Sequence, residues 1–186
     1  MSRFEIADTS LDGLKIVQRK TAADARGSFS RLFCAADLKA AGFDAAIAQI
    51  NHTFTVQRGA VRGLHFQYPP HAEIKMVSCL RGEVFDVAVD LRSGSPTFLR
   101  WYGRVLTDEN LVSLVIPRGF AHGFQTLTEN CELLYLHSCA YSAASEGAIN
   151  VRDPSVAIAW PLAIAVLSER DQSHPYVDKE FSGIRP

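Results

Sequence analysis

A chain of 186 residues, 47% apolar and 21% charged, has the size and composition of one folded domain and is too apolar to stay disordered. Its formal charge of −1, from 19 basic and 20 acidic residues, excludes the broad basic field on which non-specific binding to nucleic acid or anionic membranes depends. Neither is expected as a partner, and any anionic ligand must be held by a few converging side chains.

The first ten residues hold no apolar core of leader length, and no later stretch approaches the roughly 20 apolar residues of a membrane span. Four cysteines, Cys34, Cys79, Cys131 and Cys139, lack CxxC spacing and read as reduced thiols. A soluble cytoplasmic protein is expected. No repeat, low-complexity tract or Pro/Ser-rich linker divides the chain, so residues 1–186 read as a single domain.

In chain order, the one helix expected spans residues 35–41, where helix formers run into the stop signal Gly42. From about Ala48 the pattern is strands and turns. The clearest strand is 83–91, in which Phe85, Val87 and Val89 alternate with Asp86, Ala88 and Asp90. Strands are also expected at 98–106, 111–116, 132–141 and 157–160, with the polar run 107–110 as a turn. Many short strands without helical crossovers exclude a doubly wound sheet and point to an all-β, double-sheet antiparallel jelly roll with short peripheral helices. No GxGxxG, GxxxxGK[ST] or GxSxG occurs, so a dinucleotide fold, a P-loop and a hydrolase nucleophile elbow lack support.

Chemistry must then come from strand-borne side chains. In RGAVRGLHFQ (58–67), Arg62 and His65 would face opposite sides of a regular strand, but Gly63 can break the alternation and turn both toward one cavity. PRGFAHGF (117–124) holds His122 among two glycines and a proline. Lys75 enters an apolar strand, where its bland role is an edge charge that discourages sheet-to-sheet pairing. Tyr135 shares by alternation a face with Leu133, His137, Cys139 and Tyr141. Asp171, in LSERD (167–171), could belong to a capping box begun by Ser168. A His, a carboxylate, a Lys and a Tyr in one cavity can together deprotonate carbon, hold an enolate and reprotonate it.

Two other readings follow from the same motifs. His65 and His122 fit the two His motifs of metal-binding cupins, which would make the protein a metal-dependent oxygenase or isomerase. Gln67 at the next ligand position and the displaced Glu73 leave such a metal short of ligands. A non-catalytic sugar-binding jelly roll is the third reading, although a pure binder has no need for a base, an acid and an enolate-stabilising cation together.

Arg26-Gly27, Asn51-His52, RGLHFQ (62–67), GEVFDVAVDLR (82–92), SPTF (95–98), IPRGFAHGF (116–124), Asp153-Pro154, Trp160-Pro161 and LSERD occur in an order that resembles the dTDP-4-dehydrorhamnose 3,5-epimerase family over most of the chain. The resemblance implies a homodimer that needs no metal or other cofactor and acts, in deoxysugar biosynthesis such as that of L-rhamnose, on a nucleotide-linked 4-keto-6-deoxyhexose at C3, C5 or both. It implies His65 as base, Asp171 as its carboxylate partner, Tyr135 as the opposite-face acid and Lys75 beside the C4 oxygen. Arg62 and His122 match other substrate-contacting positions. Arg26, Phe29, Arg31, Gln49, Asn51, Glu146 and Arg170 match further binding positions, and Tyr141 the aromatic that stacks on the base. The segment 26–31 is expected to serve the partner's site. There the chain departs from the family pattern, with Arg31 in place of an acidic residue; Ala140 replaces the first Tyr of a pair, and Leu136 a Lys.

Overall fold

The computed structural model describes residues 2–186. Thirteen strands follow in chain order: β1 (Phe4–Asp8), β2 (Lys15–Arg19), β3 (Thr21–Asp24), β4 (Gly27–Ser30), β5 (Gln49–Thr55), β6 (Val61–Gln67), β7 (Lys75–Arg81), β8 (Glu83–Asp90), β9 (Trp101–Thr107), β10 (Val112–Ile116), β11 (Phe120–Thr126), β12 (Cys131–His137) and β13 (Glu146–Ala148). A six-stranded sheet, ordered β1-β2-β10-β7-β12-β5, faces a five-stranded sheet, ordered β13-β6-β11-β8-β9, and β3 with β4 forms a separate hairpin. All of these pairings are antiparallel. The fold is the expected jelly roll.

Strand alternation sorts the apolar residues into three layers. Val77, Cys79, Val84, Ala88, Leu114, Phe124, Leu133 and Tyr135 pack between the two sheets. The other face of β8, with Val87 and Val89, packs with Leu64 and Phe66 under Ile149, Val151 and Trp160. Met76, Val115 and Leu136, on the far face of the six-stranded sheet, pack on Leu38 and Phe43. Both faces of β8 are therefore buried, and its polar positions are interior rather than solvated: Asp86 and Asp90 are fully buried.

Several expectations need correcting. The helix is α1 (Ala35–Leu38) followed by a 3₁₀ turn over Lys39–Ala41, and Gly42 ends it at φ 85°. The N-terminal strands β1 to β4 were not anticipated. The strand expected at 98–106 starts only at Trp101, because Leu99 at φ 61° sits in turns closed by Phe98 N–H to Ser95 O and Arg100 N–H to Thr97 O. The strand expected at 132–141 ends at His137, where the pairings to Gln49 of β5 and Lys75 of β7 both run out. Cys139 and Tyr141 thus do not share the strand face of Tyr135. Residues 157–160 form no strand: Ala157 has φ 50°, and its N–H closes a turn on Asp153 O. Lys75 is no edge residue, since β7 lies between β10 and β12.

Candidate active site

Two contiguous cavities open between the sheets. One, of about 300 Å³, is lined by Asn51, Thr53, Arg62, His65, Lys75, His122, Phe124, Tyr135, His137, Ser168, Arg170 and Asp171. The second, of about 190 Å³, shares Asn51, His65, Lys75 and His137 and adds Gln49, Gln67, Glu73, Tyr141 and Glu146 among others. A glycine contact shapes the first. A Cβ on Gly63 (φ 137°) would stand 2.6 Å from Gly123 Cα, so β6 and β11 approach too closely there for any side chain. The register of the pair shifts between His122 and Phe124, and Arg62 and His65 both line the cavity.

His65 stands on β6 of one sheet; Lys75 and Tyr135 stand on β7 and β12 of the other. His65 Nε2 lies 2.8 Å from Asp171 Oδ1. Asp171 is carried by α2 (Glu169–Gln172), whose N-cap Ser168 accepts from the Asp171 N–H at 3.0 Å. The capping reading and the His-partner reading are therefore both realised, the backbone serving the cap and the carboxylate the imidazole. Burial pushes the Asp171 carboxyl up, but the hydrogen bond and charge of His65 outweigh it and hold it below its ordinary value. The same oxygen lies 3.1 Å from His174 Nε2.

Lys75 is about nine-tenths buried. Its Nζ pairs with Glu73 Oε1 at 3.1 Å and donates to the His65 carbonyl at 3.4 Å. An ammonium has three N–H groups, so one remains for the cavity. Tyr135 is buried, and desolvation, helped by the nearby Asp86 charge, raises its phenol so that it holds its proton at neutral pH. His122 stands edge-on to the Tyr135 ring, centroids 5.9 Å apart, and its Nε2 is 2.7 Å from Asp86 Oδ1. Burial drives the Asp86 carboxyl up, with His122 pulling the other way.

At the outer end, Tyr141 donates its hydroxyl to Glu146 Oε2 at 3.0 Å, and Arg170 pairs with the same oxygen. The Tyr141 side chain is half exposed.

Among the described residues, the group that could bind a metal is His65, Asp171 and His174, whose ligand atoms lie within 4.8 Å of one another. That set differs from the expected His65 and His122. Asp171 Oδ1 lies within hydrogen-bond distance of both imidazoles, which accounts for the convergence without an ion.

Residues 8–179 match the family model of dTDP-4-dehydrorhamnose 3,5-epimerase. The chain belongs to this family. A curated dTDP-4-dehydrorhamnose 3,5-epimerase from Sinorhizobium fredii is 41% identical over 167 residues, 89% of this chain and 86% of the relative. The solved dTDP-6-deoxy-D-glucose-3,5-epimerase of Legionella pneumophila, in complex with dTDP-4-keto-L-rhamnose, superposes with a TM-score of 0.90 at 39% identity, covering 98% of this chain and 99% of the other. A 3′-monoepimerase from Streptomyces bikiniensis, in complex with dTDP-quinovose, has a TM-score of 0.83 at 35% identity, covering 90% and 85%.

Within this epimerase fold, eleven of the fourteen expected site residues line the two cavities: His65, Lys75, Tyr135, Asp171, Gln49, Asn51, Arg62, His122, Tyr141, Glu146 and Arg170. Arg26, Phe29 and Arg31 do not. They lie on or beside the exposed β3–β4 hairpin, where Arg26 pairs with Asp24 at 2.6 Å and Phe29 is 65% exposed. Sequence reasoning gave Asp86 and His174 no part in the site, weighed Glu73 only as a displaced metal ligand, and kept His137 only as an alternative acid on the strand face of Tyr135. The spacings held some signal: Glu73 is two residues from Lys75, His174 three from Asp171, and His137 two from Tyr135 on the same strand.

Proposed function

We propose that residues 1–186 act as one metal-independent epimerase domain that inverts carbons beside the C4 ketone of a dTDP-linked 4-keto-6-deoxyhexose, as in L-rhamnose formation. His65 removes the proton α to the ketone, and Asp171 stabilises the resulting imidazolium. The electron pair passes to the C4 oxygen, where the free N–H of Lys75 holds the enolate. As the C4 carbonyl re-forms, the electron pair returns to carbon and Tyr135 delivers its phenolic proton there from the other side; the phenolate then recovers a proton from solvent, and the His65 imidazolium releases to solvent the one it took. The α-proton is weakly acidic, so a neutral imidazole is effective only where the developing oxyanion is stabilised in advance.

One observation carries the reading: base and acid stand on opposite sheets and face one cavity. Inversion requires that arrangement, because a base working alone returns its proton to the face it came from. Arg62 and His122 contact the sugar side, and Gln49, Asn51, Tyr141, Glu146 and Arg170 the nucleotide.

The working unit is a homodimer. The β3–β4 hairpin, with Arg26, Phe29 and Arg31, stands apart from the two main sheets and lines neither cavity, and the edge strand β5 exposes Ile50 and Phe54, with Val56 just beyond its end. Both features suit burial against a second copy. No helix among the described residues is long and apolar enough to cross a membrane, in keeping with a cytoplasmic enzyme.

The test is incubation with dTDP-4-keto-6-deoxyglucose in D2O, with deuterium counted by mass and the product sugar identified. Deuterium at C3, C5 or both, with inversion, is expected. Failure to exchange either α-proton refutes the reading.

A further inference from the structure

Two buried side chains in the cleft take no part in the proton transfers above. Glu73 lies two residues before the start of β7 and His137 ends β12, and each side chain is about nine-tenths buried. His137 Nδ1 lies 2.8 Å from Glu73 Oε2, and the other oxygen of that carboxylate holds Lys75 Nζ at 3.1 Å. Burial pushes the Glu73 carboxyl up, but the His137 hydrogen bond and the Lys75 charge overcome it and keep it ionised.

The far side of His137 continues into the nucleotide wall. Its Nε2 lies 3.3 Å from Asn51 Nδ2. Asn51 Oδ1 accepts from Gln49 Nε2 at 2.9 Å, and Gln49 Oε1 accepts from the Tyr141 backbone N–H at 2.9 Å.

The donor sense of this chain is fixed at both ends. A backbone N–H can only donate, so Gln49 presents its oxygen to Tyr141 and its amide nitrogen to Asn51. Asn51 must then accept through Oδ1 and donate through Nδ2, which makes His137 Nε2 an acceptor. The proton of a neutral His137 therefore sits on Nδ1 and is donated to Glu73, whose carboxylate also accepts from Lys75. The ionisable groups facing the ring are Glu73 and Lys75 from the β7 side and Tyr135, whose ring lies 6.0 Å away at 21°.

We propose that Glu73 and His137 are positioning residues for Lys75. Through them the Tyr141–Gln49–Asn51 wall, which takes the nucleotide, fixes the ammonium that faces the ketone oxygen. Lys75 is otherwise a flexible four-carbon stem, and an oxyanion donor acts only when already in place. The role assigned to Lys75 rests on the epimerase reading above; the hydrogen-bond chain does not.

The first measurement is the ¹⁵N shift pattern of the His137 ring in the unliganded wild-type protein. The Nδ1–H tautomer is expected, and an Nε2–H tautomer overturns the proposal whether or not the protein is an epimerase. The second is His137→Gln, whose amide keeps an acceptor and a donor but lacks the rigid ring that holds the two bonds in place between Asn51 and Glu73. Solvent exchange at saturating substrate should fall at least tenfold while affinity for dTDP changes less than threefold. Gln49→Ala should add little to the kcat loss of His137→Gln, because the chain is already cut. Exchange within threefold of wild type in folded His137→Gln, or fully additive kcat losses in the double variant, refutes the positioning role. If His137→Gln does not fold, Asn51→Ala, which cuts the chain one link earlier from the more exposed β5, must lower exchange at saturating substrate at least tenfold, over and above any loss of nucleotide affinity, and exchange within threefold of wild type refutes the role. Wild-type protein that shows the tautomer but exchanges no α-proton refutes the epimerase reading instead.

Discussion

Replacing Asp171 by Asn removes the charge opposite His65 while keeping an oxygen that can accept its N–H. The imidazole nitrogen and carboxylate oxygen are 2.8 Å apart, which puts the charge centres about 4 Å apart; at an effective dielectric constant of about 20, unit charges then interact by about 4 kcal/mol. The His65 side chain is 34% exposed, and solvent screening on that side leaves about 2–3 kcal/mol. That energy exists only once His65 is protonated, so it acts on the transition state for proton abstraction. At about 1.4 kcal/mol per tenfold in rate, Asp171→Asn should slow α-proton exchange about 30- to 160-fold. The assay is the initial rate of deuterium incorporation from D2O at saturating dTDP-4-keto-6-deoxyglucose, with near-UV circular dichroism to confirm the fold. Exchange within threefold of wild type would show that Asp171 caps α2 and does no more. The same carboxylate gives a sign for stability. Its folded pKa lies below the ordinary value, so its contribution is complete above the unfolded value of about 4 and is lost as pH falls through the folded one. The Tm difference between wild type and Asp171→Asn should therefore close below about pH 4.

Tyr135→Phe should abolish inverted product while deuterium still enters the unepimerised sugar, because His65 can return a proton to the face it took it from; His65→Ala should abolish both. Wild-type inversion by Tyr135→Phe would pass the acid role to His137, which lies two residues along the same strand face. Exhaustive chelation should leave activity intact, and elemental analysis should find less than one transition metal per chain. A stoichiometric metal whose removal kills activity would instead make ligands of His65, Asp171 and His174. Heterodimers of Arg26→Ala with His65→Ala chains should regain activity from the hybrid site that receives both wild-type residues, and no recovery despite proven subunit exchange would count against a shared site.

The sequence by itself determined the all-β class, because period-2 alternation and frequent turn residues are local signals. It also singled out His65, Lys75, Tyr135 and Asp171, which the fold brings to one cavity, because an ordered series of motifs carries most of them: His65 in RGLHFQ, Asp171 in LSERD. What it could not supply was anything set by which strands lie side by side. The alternation in β8 marked a strand with two faces but not that both are covered; packing of the two sheets makes the Asp86 face interior, where Asp86 meets His122. Strand β12 read as running to Tyr141; its end at His137 is decided by where β5 and β7 stop offering partners. The chain from Tyr141 to Lys75 joins three stretches, residues 49–51, 73–75 and 137–141, and nothing in their separation along the sequence predicts that they meet. Hydrogen bonds between residues far apart in the chain become visible only after the apolar layers have brought the strands together. Those layers are specified by pattern, whereas the polar contacts they enclose depend on ångström-scale register.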